Sequence, residues 1–287
     1  MSWHILRPEV LKFMDKVIIT VAPTGNVPTR ETCPGLPVTP AEIAEDVYRC
    51  YIAGASVAHI HARDKDRKPT ADANAFKPII DKIREKCDII IQLSTGARAG
   101  KSAAERGACI LLKPEMASLS TGSSNFSRTV NYNPPGLIKE LAGRMFELGV
   151  KPEIEVFDIS ALEYAVYLAE KGLIKQPMHI NLVFGVPGSM GGIPRNLFFL
   201  LESLPAGCTW SVTSIGKSHR QLSALAMVLG GHVRTGLEDL LELEQGCPVS
   251  NLQLVERVAA LGRAYGREPA TAAEARKILG LKTLSAG

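Results

Sequence analysis

The chain has 287 residues, 46% of them hydrophobic and 22% charged, with a formal net charge of +4. That mixture is ordinary for a globular protein, and the length allows a large core without disulfide staples. The absence of any dense Lys/Arg run argues against nucleic acid as a partner, and no apolar stretch is long enough to cross a bilayer. The six cysteines (Cys33, Cys50, Cys87, Cys109, Cys208 and Cys247) form no CxxC pair. Such spacing reads as reduced thiols in a cytoplasmic protein. Residues 1–15 lack the apolar core of a secretory signal and read as an N-terminal extension to a single catalytic domain over 16–287.

From there the chain alternates between apolar, β-branched runs and helix-like segments. VIITVAP (17–23) predicts the first strand, and a helix follows over 39–55. Thr39 is placed as its N-cap, with Pro40 at the first position and Glu42 completing a capping box. VAHIHARD (57–64) predicts the second strand and 75–86 a helix. DIIIQLST (88–95) predicts the third strand and 102–112 a short helix. MASLSTGS (116–123) predicts the fourth strand and 134–150 a helix. The second half repeats the rhythm: strands at 154–158, 179–185, 209–216 and 232–239, and helices at 160–173, near 194–204, at 218–231 and at 251–266. A last helix is expected over 271–281.

Runs of continuous apolar residues suit parallel strands covered on both faces. Eight such units in series predict a TIM (β/α)8 barrel with one extra C-terminal helix. A doubly wound open sheet is the runner-up, but the turn after the first strand, APTGN, lacks the GxGxxG phosphate fingerprint.

A TIM barrel builds its active site at the C-terminal ends of its strands. The polar residues expected there are Thr24 and Asn26 after the first strand, His59, His61 and Arg63 on the second, and Ser94, Thr95 and Gly96 on the third. Ser118, Ser120 and Thr121 follow on the fourth, Glu155 and Asp158 on the fifth, Thr213 and Ser214 on the seventh, and Arg234, Glu238 and Asp239 on the eighth. Side chains alternate across a strand, so His59 and His61 share a face. Two imidazoles on one face suit a divalent ion or two separately hydrogen-bonded core histidines. Glu238 shares parity with His232 and Arg234 and lies at the outgoing end, so it is the candidate third ligand. A His2Glu set with one open position suits catalytic zinc. The amidohydrolase barrel is a poorer match, because its HxH lies on the first strand and its other histidines end the fifth and sixth.

The motifs VIITVAPTGN, HIHARD, QLSTG, PEMASLSTGSSNF, PEIEVFD, HINLVFG, SVTSIG and VRTGLED, in this order, resemble the β-keto acid cleavage enzymes. The type member of that family is 3-keto-5-aminohexanoate cleavage enzyme. The resemblance runs from about Lys16 to the last helix. It implies a zinc-bearing TIM barrel, usually a homotetramer, that condenses a β-keto acid with acetyl-CoA to give a new acyl-CoA and acetoacetate. It implies zinc ligands at His59, His61 and Glu238, and catalytic positions at Ser94, Ser118, Glu155, Arg234 and Asp239. Ser118 stands where the type member has threonine, which keeps the hydroxyl. The loop Pro23-Thr24-Gly25-Asn26 lacks the acid that receives the type member's amino substrate.

Within that chemistry, zinc would acidify the C2 protons of the keto acid and Asp239, oriented by Arg234, would remove one. Burial would raise the Asp239 pKa and the arginine would oppose the rise. Ser94 with the Thr95-Gly96 backbone would donate to the thioester oxygen. Glu155 would orient a zinc histidine or contact substrate. Thr24, Asn26 and Gly96 are the candidate substrate-binding residues. Arg98, Lys101, Arg195 and Lys217 lie in loops that suit CoA phosphates. Two other readings compete: a zinc-dependent retro-aldolase that needs no CoA, and a metabolite-binding barrel without catalysis.

Overall fold

Each of the eight apolar runs forms a strand in the computed structural model, which describes residues 16–96, 101–126 and 129–281. The barrel strands are β1 (Ile19–Val21), β2 (Val57–Ile60), β3 (Ile90–Leu93), β4 (Met116–Ser120), β5 (Lys151–Val156), β6 (His179–Phe184), β7 (Thr209–Ser214) and β8 (His232–Thr235). They close in sequence order, with β8 pairing back onto β1, and every pairing is parallel. The expected N-terminal extension and Arg98 lie outside the described residues.

The helices are α1 (Pro40–Ile52), α2 (Ala73–Arg84), α3 (Ala103–Arg106), α4 (Pro135–Leu148), α5 (Ile159–Glu170), α6 (Pro194–Glu202), α7 (His219–Val228), α8 (Asn251–Ala264) and α9 (Ala272–Leu279). The Thr39–Glu42 capping box at the start of α1 is present as expected. The helix expected over 102–112 is instead α3 followed by a 3-10 turn over Ala108–Leu112. Gly107 separates the two, and glycine is the weakest helix former after proline.

Alternation sorts each strand into two faces. Outward residues such as Ile19, Ala58, Ile91, Leu119, Ile154, Leu182 and Val233 join the main core beneath the helices. Inward residues form a second, smaller core at the N-terminal end of the barrel: Ile18, Val57, Ile90 and Met116 pack against Ala270, Ala275 and Leu279. The final helix therefore plugs the bottom of the barrel, a role its sequence does not announce. Above this plug the inward residues turn polar: His59, Gln92, Ser118, Glu153, Asn181, Thr213 and Arg234, all buried.

All eight strands end earlier than expected, and at two of them this bears on the site. Strand β2 stops at Ile60, and Ala62–Arg63 pairs instead with Pro69–Thr70 in a short antiparallel hairpin. Arg63 does not reach the barrel interior. Its Nη2 donates to the carbonyls of Gly25 and Pro28, each at 2.8 Å, and braces the loop after β1. Strand β8 stops at Thr235, so strand parity alone does not place Glu238. No helix among the described residues is long and apolar enough to cross a membrane.

Two buried histidines serve the fold. His219 Nε2 meets Thr235 Oγ1 at 2.8 Å, and His232 Nδ1 accepts the Ile18 N–H at 3.1 Å. Burial pushes the His219 imidazole down to about 4 and that of His232 well below the ordinary value of 6.5. Both stay neutral when folded, whereas an unfolded imidazole takes up a proton below 6.5. Their stabilising contribution is thus complete above pH 6.5 and is lost as pH falls towards their folded values, by about 1.4 kcal/mol per histidine per pH unit. Thermal unfolding of the His219→Gln variant is expected to show a smaller drop in midpoint between pH 7 and pH 5 than the parent chain; an equal drop would contradict this assignment.

Candidate active site

The two imidazoles of the HxH pair meet at the C-terminal mouth of the barrel. His59 Nε2 lies 3.3 Å from His61 Nε2, with the rings inclined at 60°. The far nitrogens are each held by an amide oxygen: His59 Nδ1 by Gln92 Oε1 at 2.5 Å and His61 Nδ1 by Asn26 Oδ1 at 3.0 Å. An amide oxygen only accepts, so both Nδ1 atoms carry a proton, and the two Nε2 atoms face the same point. Burial, with Arg234 adding to it, pushes His59 down to about 4, so its imidazole stays neutral at physiological pH.

The third member comes from the turn after β8. Glu238 Oε1 lies 3.4 Å from His61 Nε2, and Oε2 lies 3.8 Å from His59 Nε2. Gly236, at φ +148°, lets the turn lie against β1: a Cβ there would sit 2.2 Å from the Ala22 carbonyl oxygen. The Glu238 N–H then donates to that same oxygen at 3.2 Å. From the opposite side Gly25, at φ +63°, packs onto the carboxylate arm, where a Cβ would lie 2.6 Å from Glu238 Cγ. The ligand atoms of His59, His61 and Glu238 all lie within 4.8 Å of one another. Glu238 Oε2 is buried with no hydrogen-bond partner, the condition in which a carboxylate oxygen awaits a cation. Two imidazole nitrogens and one carboxylate oxygen are a donor set that fits a divalent transition ion, zinc above all.

A second trio, His59 with Glu153 and Glu155, is equally close. Its Glu155 Oε2 accepts from Ser120 Oγ at 2.9 Å, and Glu153 Oε1, 3.5 Å from His179 Nε2, has no hydrogen-bond partner among the described residues. The first trio offers two imidazoles and one carboxylate, a donor set that catalytic zinc takes, and is the better metal set.

Beside the ligands, Arg234 serves three carboxylates. Its Nε and Nη2 hold Asp239 at 3.1 and 2.9 Å, Nη2 also reaches Glu238 Oε1 at 2.6 Å, and Nη1 reaches Glu155 Oε1 at 3.4 Å. Burial works against the guanidinium charge, but the carboxylates outweigh it and hold Arg234 well above its ordinary pKa. Burial also works against the Glu238 carboxylate, yet Arg234 opposes it and the group stays well below the usual range. For Asp239 the balance reverses. Burial, helped by the Glu238 charge, overcomes Arg234 and lifts its carboxyl to about 7. Burial likewise raises Glu155. With all three acids ionised, one guanidinium leaves two negative charges uncompensated in a buried space, which favours a bound divalent cation.

Several expectations change in detail. Thr24 is fully buried and donates to the Pro37 carbonyl at 3.0 Å, which anchors the loop after β1. Asn26 is committed to His61 and, through Nδ2 at 2.6 Å, to the Gly96 carbonyl. The backbone donors expected of Thr95 and Gly96 are already in use. The Thr95 N–H donates to Ser118 Oγ at 3.2 Å, and the Gly96 N–H to Ser94 Oγ at 3.1 Å. Ser94 and Ser118 each accept one of these bonds and keep their own hydroxyl protons. Glu155 does not touch either ligand histidine's far nitrogen; Gln92 and Asn26 have that task. Asp158 caps α5, accepting the Ala161 N–H at 2.9 Å. Lys101 pairs with Glu105, while Arg195 and Lys217 are exposed.

The residues missed by sequence reasoning are Gln92, Glu153 and Asn181. Each is a polar side chain at an inward position of its strand, Glu153 in step with Glu155 and Asn181 with His179, and Gln92 lies directly across from His59 in the β2–β3 register. That alternation was the available signal.

The family model for β-keto acid cleavage enzymes matches residues 16–281. A 3-keto-5-aminohexanoate cleavage enzyme of Fusobacterium nucleatum subsp. nucleatum is 45% identical over 272 residues, covering 94% of this chain and 99% of that protein. A 3-oxoadipate:acetyl-CoA acetyltransferase of Cupriavidus necator is 40% identical over 272 residues, covering 93% and 95%. Among solved structures, a ternary complex of ObcA with a C4-CoA adduct and oxalate shares the barrel, with a TM-score of 0.74 at 23% identity over 86% of this chain and 68% of that one. A family match over nearly the whole described chain, with relatives this similar from end to end, makes the protein a member of the β-keto acid cleavage enzyme family.

Proposed function

We propose that the protein is a zinc-dependent transferase that condenses a β-keto acid with acetyl-CoA, cleaving the keto acid to an acyl-CoA and acetoacetate. The observation that carries this reading is the convergence of His59, His61 and Glu238 next to a buried carboxyl, Asp239, lifted to about 7 and clamped by Arg234. Relatives of similar length named for acetyl-CoA transfer and for keto acid cleavage support it.

His59, His61 and Glu238 would hold the zinc, with Gln92 and Asn26 fixing the tautomers that present both lone pairs. Zinc bound there would polarise a keto acid's carbonyl and acidify its C2 protons. Asp239 is the base that receives the C2 proton. An ordinary aspartate is too weak for that task at neutral pH, and burial brings its affinity for a proton into the working range. Arg234 holds both Asp239 oxygens, which fixes the direction of the transfer. It also ties the base to the Glu238 ligand, so ligand and base move as one unit. Ser94 and Ser118, with their hydroxyl protons free, are the donors for the oxygen that gains charge as the thioester is attacked. Glu155, anchored by Ser120, holds the remaining nitrogen of Arg234. Residues 16–287 act in this reading as one catalytic domain, and the cytoplasmic homotetramer expected from the sequence belongs to the same proposal.

Three measurements test the reading. Incubation with a panel of β-keto acids of differing charge should give acyl-CoA and acetoacetate only when acetyl-CoA is present. Cleavage of the keto acid without CoA would overturn the transferase assignment in favour of a retro-aldolase. Metal analysis of His59→Ala should show the loss of a zinc ion bound by the parent chain, and undiminished zinc would refute the ligand set. Asp239→Asn keeps the size and one acceptor but cannot take the proton; kcat should fall by on the order of 10² to 10⁴ with zinc content unchanged.

A further inference from the structure

The Glu238 ligand stands on a turn, and turns between barrel elements are usually the softer part of the fold. Here the turn is tied by a residue far from it in sequence. Asn251, the first residue of α8, is buried at 1% exposure. Its Oδ1 accepts the N–H of Leu237, the residue before Glu238, at 2.7 Å. Its Nδ2 donates to the carbonyl of Pro23 at 3.0 Å and to Asp46 Oδ2 on α1 at 2.6 Å. Pro23 opens the loop whose Gly25 packs onto the Glu238 side chain. One amide therefore joins the two loops that grip the carboxylate.

The orientation of this amide is unambiguous. Turned over, Nδ2 would face the Leu237 N–H, and Oδ1 would face two acceptors, so all three bonds would become repulsions. Asp46 reinforces the choice, since an ionised carboxylate can only accept. Asn251 has no part in capping its own helix, because Ser250 accepts the Gln253 N–H there. Its hydrogen-bonding groups are given wholly to the two loops and to α1. Leu237 packs in a small core with Leu36, Val38, Val249 and Leu254, which holds the same turn from below but does not set the direction of its backbone.

We infer that Asn251 is a positioning residue for the metal site: it sets the turn that carries Glu238 against the β1 loop, and Asp46 fixes the orientation of its amide. This rests on the reading of His59, His61 and Glu238 as zinc ligands. Groups that hydrogen-bond a ligand directly are worth about tenfold to a hundredfold in metal affinity; Asn251 acts one residue removed, through the Leu237 N–H, so the lower end of that range applies.

The test compares zinc affinity, by competition with a chromogenic chelator, with thermal unfolding of the metal-free chain. Asn251→Ala should weaken zinc binding by on the order of tenfold or more in protein that is still folded at the assay temperature. In a Glu238→Ala background the same substitution should have no further effect on affinity, because the ligand it positions is gone; a merely structural role would give the same loss in both backgrounds. Asp46→Ala, at a half-buried position on α1, should weaken zinc in the same direction but by less. Folded Asn251→Ala with parental zinc affinity would overturn the inference. If Asn251→Ala does not fold, parental affinity in Asp46→Ala overturns it. Zinc retained by His59→Ala would instead refute the ligand set itself, so the two failures are distinguishable.

Discussion

One guanidinium shared among three carboxylates organises this site. Arg234 is buried at the end of β8, and it touches Asp239 with two nitrogens while reaching Glu238 and Glu155. A single positive charge cannot satisfy all three acids away from water. The structure divides the deficit unequally. Glu238, 19% exposed at its side chain and 2.6 Å from Arg234, keeps its charge, whereas Asp239, fully buried beside that like charge, is lifted towards neutrality. Adjacent residues in the sequence thus acquire opposite proton affinities, one suited to hold a cation and the other to accept a proton.

The barrel makes that division possible by separating polar from apolar layers along its axis. The lower layer of Ile18, Val57, Ile90 and Met116 is closed by α9, so water is excluded from beneath the site. The inward residues above it are almost all polar, and most are paired. Glu153 with His179, Asn181 with Thr213 and Gln92 with His59 continue the network downwards, while Gln92 Nε2, Glu153 Oε1 and Ser211 Oγ have no hydrogen-bond partner among the described residues. Buried polar groups are costly unless they are satisfied, and neighbouring strands supply most of the partners.

The loops are held by small residues and amides. Gly25 and Gly236 allow backbone to approach where any side chain would collide, and Arg63, Asn26 and Asn251 tie the loop after β1 to the hairpin after β2, the segment after β3 and the turn after β8 respectively. A metal ligand on a turn gains in this way the fixity it would have on a strand.

The fold was legible from the chain alone because parallel strands buried on both faces must read as apolar runs, and eight recurred with helices between them. Period two placed His59 and His61 on one face, and the same rule placed Ser118 and Glu155 inward. Yet β2 ends at Ile60, so His61 stands one residue past the strand, and its place beside His59 is a result of the tertiary structure. Glu238 was picked by parity, yet β8 ends at Thr235 and the residue arrives by a glycine turn against Ala22. Gln92 and Asn26 as the partners of the histidines, and Thr24 as a loop anchor, depended on which strands and loops became neighbours. So did the contest between burial and Arg234 at Asp239. The sequence by itself determined the elements, their order and the chemistry available at the barrel mouth, since these follow from residue type and period. Only the tertiary structure decided which groups are partners and which proton affinities shift, because both depend on distances and on the exclusion of water between residues far apart in the chain.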